Sequence, residues 1–288
     1  MPTAGPGLTA FAGLDDPVTV YGAAILAASL DIVAPAWPRQ EVPGGVDDAD
    51  IVVLPAQGGF VIEQAPGVRS TPLADPLVAA SHLVSHVGGV LASRSSARLG
   101  LHAAAVEAGG LALLLGAEGS GKSVLAAAAL LAGRRLFADD KLLLEFDHDV
   151  TGIALGRAMK LRNPLPACLG GPTRDASRRA LEARTTFAGE KRLYLTPADG
   201  ELAAFGARAP VVALVLLDRA PGARPALAAA TAEDAAAALT PRLFAPNRPP
   251  AAREELAARL ADRVPPYRLR YDDPDAAASV LIAALTAR

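Results

Sequence analysis

Residues 116–123 read Gly-Ala-Glu-Gly-Ser-Gly-Lys-Ser and meet the spacing G-x-x-x-x-G-K-[ST]. Its glycines let the backbone curl so that successive N–H groups point at phosphate oxygens, and a helix opening at its end adds a positive dipole. Gly116, Ala117, Glu118, Gly119, Ser120, Gly121, Lys122, Ser123 and the adjoining Val124 are therefore the candidate nucleotide loop. Lys122 is placed to bridge β- and γ-phosphates, and the Ser123 hydroxyl to take Mg²⁺. Asp139-Asp140 stands 16 residues beyond Ser123. One carboxylate of such a pair can coordinate the metal while the other accepts a proton from an attacking hydroxyl. Adjacent strand residues point to opposite faces, so both can serve one site only if their strand has ended before them.

Other candidates are thinner. The chain has 24 Arg but only four Lys, so a lysine is the exception wherever a cation is wanted. Lys122, Lys141, Lys160 and Lys191 all fall within one stretch of 70 residues. A compact ammonium is not interchangeable with a planar guanidinium between phosphates, which draws attention to the last three. His102 falls on the strand expected beside the loop strand, where a histidine is either a satisfied core residue or a phosphate neighbour. His82 and His86 share a helix face without a third ligand, His148 is isolated, and Cys168 is the single cysteine. That excludes an intramolecular disulfide framework and a cysteine metal cluster.

The elements that must position these residues follow from patterning. Two apolar runs, 101–106 and 111–115, flank Glu107-Ala108-Gly109-Gly110, a hairpin signal. Residues 122–132 are dense in Ala and Leu and favour a helix that Gly133 can end. Strands are expected at 135–138, 141–146, 211–217 and 267–271, and helices at 232–239, 251–263 and 274–287. Residues 221–225 and 241–250 read as loops. Residues 1–97, rich in Pro and Gly, read as a small β-containing α/β domain with a helix over 73–91, and the polar 94–98 as a hinge into a second domain, 98–288. The fold class is α/β with a mixed sheet, because a hairpin precedes the phosphate loop.

Composition narrows the function. Net charge is −2 and 51% of residues are hydrophobic, which argues against a nucleic-acid binder and against disorder. No run approaches the ~18 unbroken apolar residues of a membrane helix, and no basic n-region precedes an apolar segment. A soluble, cytoplasmic protein is expected.

Leu101-His102-Ala103, the hairpin, 116–123, the helix and Phe137-Ala138-Asp139-Asp140 together resemble the catalytic domain of the HPr kinase/phosphorylase family, over about residues 101–145. The resemblance implies an HPr-kinase-like P-loop kinase domain using ATP and Mg²⁺. By position, Asp139 is implied as the base toward a serine hydroxyl, Ser123 and Asp140 as metal residues, and His102 as the histidine beside the phosphates. Glu118 stands where that family usually has Ser, the I-E-x-A segment has no counterpart, and residues 1–97 differ from the family's N-terminal domain. The layout resembles more closely the divergent HPr-kinase-like serine kinases of peptide-modification systems, including those that phosphorylate lasso peptides. There a basic segment follows the Asp pair, matched here by 157–164 and 189–192, which makes Lys160, Arg162 and Lys191 candidates for stabilising the transferring phosphoryl charge. The implied reaction is transfer of the γ-phosphate to Ser or Thr of a peptide or protein acceptor, with homo-oligomerisation left open. The alternatives are a P-loop regulatory or scaffold module without transfer, and a true HPr kinase/phosphorylase.

Overall fold

The computed structural model describes residues 7–64, 68–166, 169, 174–244 and 248–287, so Cys168 and part of the 241–250 loop lie outside the described residues. The N-terminal unit is a six-stranded sheet built from β1 (Leu8–Phe11), β2 (Val18–Tyr21), β3 (Arg39–Val42), β4 (Ile51–Ala56), β5 (Gly59–Gln64) and β6 (Val68–Arg69), in the order β3-β1-β2-β4-β5-β6. Helix α2 (Pro76–Ser93) packs on it, and α1 (Ala27–Val33) packs against α2. Asp75 starts α2 by accepting a hydrogen bond from the Leu77 N–H, with Pro76 at the first helical position. By length and composition α2 could cross a membrane, yet 61% of it is buried in the fold, where Leu83, Val84 and Val87 enter the N-terminal core.

That core does not stop at residue 97. Leu143, Ile153, Leu155 and Tyr194 from the second half are buried within it. The expected hinge is a locked junction: Arg94 donates to both Asp50 oxygens at 2.9 Å, and Arg98 already belongs to a strand. Arg98 is 6% exposed and ties Asp15 (2.5 Å) to Glu145 (2.8 Å). A guanidinium can be buried here because carboxylates from both halves meet it.

The second unit contains β7 (Arg98–Leu101), β8 (Ala104–Glu107), β9 (Leu111–Leu115), α3 (Lys122–Leu131), β10 (Leu136–Ala138), β11 (Leu142–Phe146) and β12 (Val150–Ile153). It continues through β13 (Met159–Arg162), α4 (Arg174–Ala183), β14 (Thr185–Ala188), β15 (Arg192–Leu195), β16 (Arg208–Arg219) and β17 (Ala226–Ala229). It closes with α5 (Ala232–Leu239), β18 (Leu243–Phe244), α6 (Pro250–Arg263), β19 (Pro266–Tyr271) and α7 (Pro274–Thr286). The large sheet runs β10-β8-β9-β16-β12-β11-β7-β18, with β19 on β16 and β17 on β19. β13, β15 and β14 form a separate three-stranded antiparallel sheet.

β9 shows why the middle of the sheet is apolar throughout. Ala112 and Leu114 face the layer of α3 and α7, whereas Leu111, Leu113 and Leu115 face that of α5 and α6. A strand covered on both faces reads as a continuous apolar run. β9, β16 and β19 are mutually parallel, and β10 runs the same way through two antiparallel steps across β8. Four strand ends therefore open on one edge, where ligands of α/β sheets bind.

Candidate active site

The loop after β9 and the turn after β10 meet at that edge in a cleft of about 570 Å³. Gly121 (φ 97°) lies in the left-handed region, and a Cβ there would stand 2.7 Å from the Tyr271 hydroxyl at the end of β19. Glycine is thus required both by the turn and by the neighbouring strand. Lys122 folds back and donates to the Gly116 (2.8 Å) and Ala117 (3.0 Å) carbonyls. Arg242 Nε donates to the same Gly116 oxygen at 2.9 Å, and its own carbonyl accepts the His102 N–H. Burial and the Arg242 charge hold Lys122 below the ordinary lysine range.

β10 ends at Ala138, so Asp139 and Asp140 lie past the strand and both line the cleft. Their surroundings differ sharply. Asp139 is 4% exposed; Oδ2 accepts the Lys160 N–H at 2.9 Å, while Oδ1 is buried without a hydrogen-bond partner. Burial raises Asp139 above the ordinary carboxylate range, and the Lys160 N–H and Ser123 hydroxyl oppose that shift. Asp140 is surrounded by nitrogen groups: His102 Nε2 at 2.9 Å, Arg157 Nη1 at 3.3 Å and Lys160 Nζ at 3.5 Å. Burial alone would raise Asp140, but the His102 hydrogen bond and the Arg157 and Lys160 charges hold it far below the carboxylate range.

His102 does not sit within a strand. The expected strand 101–106 is split into β7 and β8, which pair with different partners, β11 and β9. The break at His102-Ala103 lets the imidazole turn out into the cleft, 52% exposed. Among the basic candidates, Lys160 and Arg162 line the cleft and Lys191 does not. Lys191 immediately precedes β15, and alternation along the strand turns its neighbour Arg192 into the cleft instead. Lys141 stands with its ammonium 5.2 Å from the Phe244 ring, pushed down to about 8 by burial and by Arg157. Of the loop, Gly116, Glu118, Gly119, Gly121, Lys122, Ser123 and Val124 line the cleft, and Ser120 Oγ is buried behind it.

Arg192, Arg219 and Arg242 also line the cleft, and sequence reasoning did not single them out. Arg242 lay in a segment read as a loop, and Arg219 ends β16, two positions past the expected strand end. The end of the apolar run on a strand parallel to the loop strand was the available signal for Arg219.

No group of three or more His, Cys, Asp or Glu able to hold a metal occurs among the described residues. A nucleotide-bound Mg²⁺ needs less from the protein: one or two oxygen ligands, with phosphate and water completing the shell. The Ser123 hydroxyl and the orphaned Asp139 Oδ1 fit that requirement. Asp140 does not, since His102 already engages one of its oxygens and Arg157 and Lys160 face the other.

No family model matches the chain, and no curated protein matches it. Among solved structures, the Hpr(Ser) kinase/phosphatase from Coxiella burnetii aligns over 64% of this chain and 95% of its own, at 11% identity and a TM-score of 0.33. A likeness of that degree carries no functional argument, which rests on the cleft itself.

Proposed function

We propose that the protein is an ATP- and Mg²⁺-dependent kinase that transfers the γ-phosphate to a Ser or Thr hydroxyl of a peptide or protein. The observation that carries this reading is the meeting, in one cleft, of a phosphate loop with two adjacent carboxylates of opposite electrostatic character. The loop N–H groups and Lys122 bind the triphosphate, with Lys122 leaving the Gly116 and Ala117 carbonyls to do so. Bound Mg²⁺ would neutralise developing phosphate charge. Ser123 and Asp139 would hold it, and metal binding keeps Asp139 ionised despite its burial.

The acceptor proton then falls to the His102–Asp140 pair. His102 is open to the cleft, and Asp140 holds the ring in place through Nε2. The family resemblance implies the reverse, with Asp139 as base and Asp140 at the metal; the observed partners of the two carboxylates favour the exchange. Lys160, whose ammonium lies 3.5 Å from Asp140 Oδ2, lines the cleft where the transferring group becomes more negative.

The test is calorimetric titration with ATP at increasing Mg²⁺, beside single-turnover transfer to a serine peptide. Asp139→Asn should raise the Mg²⁺ concentration needed for binding, whereas His102→Gln should leave binding intact and slow transfer by about 10²–10⁴. Normal Mg²⁺ dependence in Asp139→Asn would contradict the metal assignment.

A further inference from the structure

We propose that Arg162 and Arg192 form an anchor for a carboxylate side chain of the acceptor, so that the enzyme selects peptides with an acidic residue close to the target hydroxyl. This rests on the kinase reading above and names the substrate class of the same cleft.

Arg162 and Arg192 are directly opposite one another across β13 and β15. The next pair along the ladder is joined by the Asn163 N–H donating to the Lys191 carbonyl, and the Lys160 N–H turns away to Asp139. Arg162 and Arg192 are therefore a non-hydrogen-bonded pair, the arrangement in which antiparallel backbones and side chains come closest. Like charges so placed repel and destabilise a sheet. Natural relief would be a carboxylate nearby, but neither guanidinium meets one among the described residues. Leu161 and Leu193 are buried in the core, and both arginines are exposed where they line the cleft.

The other cations near the nucleotide are accounted for. Lys122 and Arg242 converge on the phosphate loop, Arg157 and Lys160 flank Asp140, and Arg219 lies 3.8 Å from Asp272. Arg162 and Arg192 remain as two forks facing one space, and paired forks match the planar oxygens of a carboxylate. Arg162 Nη2 lies 3.9 Å from where a Gly119 side chain would begin. An acidic residue held there would sit beside the loop, bringing a neighbouring hydroxyl toward the γ-phosphate.

The experiment uses three acetylated, amidated serine peptides that differ only in flanking Glu, Gln or Lys residues. Transfer kinetics and fluorescence anisotropy are measured with wild type, Arg192→Gln and Arg192→Glu, and the affinity of a non-hydrolysable ATP analogue is measured in parallel. Wild type should show a KM about tenfold lower for the Glu peptide than for the Gln peptide, in keeping with a charge-assisted hydrogen bond. Arg192→Gln should erase that preference with analogue affinity unchanged, and Arg192→Glu should shift preference to the Lys peptide. Equal KM for Glu and Gln peptides in wild type overturns the proposal. So does a tenfold loss of analogue affinity in Arg192→Gln, which would assign the pair to the nucleotide. If no peptide is phosphorylated but the Glu peptide still binds in an Arg192-dependent way, the anchor stands and the kinase reading falls. Absence of both binding and transfer overturns the two together.

Discussion

Replacing Asp140 by Asn should destabilise the protein, whereas the same change one residue earlier, at Asp139, should not. The reason lies in what each carboxylate leaves behind. Asp140 is the ion-pair partner of Arg157, a residue whose side chain is 5% exposed and whose terminal nitrogens are buried without a hydrogen-bond partner. Removing one member of a buried pair strands the other charge, at about 3–5 kcal/mol. Asp140 keeps 22% of its side-chain exposure, so water partly screens the site and the value belongs near the lower end, about 3 kcal/mol. For a chain of this size that corresponds to a fall in Tm of roughly 6–12 °C. Asp139 is the opposite case: burial works against its charge, and Asn still offers an oxygen to the Lys160 N–H. Asp139→Asn should therefore hold or slightly raise Tm. Scanning calorimetry of both variants at pH 7 checks this, with Asp140→Asn/Arg157→Met as the control that removes the stranded charge and recovers stability. A Tm for Asp140→Asn within about 2 °C of wild type would refute the reasoning, as would an equal fall for Asp139→Asn.

Three further outcomes are expected. Lys122→Ala should fold normally yet lose nucleotide-dependent stabilisation, which for wild type at ligand 100-fold above Kd is about 2.7 kcal/mol; an unchanged ATP-induced shift in Tm would contradict the loop assignment. Gly121→Ala forces a side chain into left-handed backbone and against the Tyr271 hydroxyl, so denaturant melts should show a loss of about 1–3 kcal/mol together with weakened ATP binding. Lys141 is depressed to about 8 from an ordinary value near 10.4, so the unfolded chain holds its proton over a range where the folded one does not, and this group makes stability rise with pH between those values. Lys141→Met should accordingly be more stable than wild type at pH 7, with a gain that shrinks above pH 8; a pH-independent gain would show that packing, not charge, was responsible.

Sequence legibility followed the physics of each element. β9, the loop and α3 were readable because an apolar run, a glycine spacing and an Ala-rich segment each report a strong local constraint. β16, α5, α6, β19 and α7 were readable through periodicity and capping. The β13–β15 sheet and β17 were missed, because short strands of mixed polarity carry little periodic signal and are defined by their partners. The break at His102 was hidden inside a run that satisfies a single strand, and only the different partners of β7 and β8 reveal it. Within the cleft, the substitution of Arg192 for Lys191 is a matter of one residue of register, which composition cannot fix. The unequal environments of Asp139 and Asp140 depend on Arg157 and Lys160, which lie in a segment whose pairing the sequence left unspecified.

The most direct measurement of the central claim is the fate of the γ-phosphate. The protein is incubated with Mg²⁺ and γ-labelled ATP together with a serine-containing acidic peptide, under single-turnover conditions, and the label is followed into peptide and into inorganic phosphate. The expected result is label on the serine hydroxyl, lost when that serine is replaced by Ala and absent with Lys122→Ala. Label found only as inorganic phosphate, or remaining on ATP while the nucleotide binds tightly, would contradict phosphoryl transfer and identify a nucleotide-binding module instead.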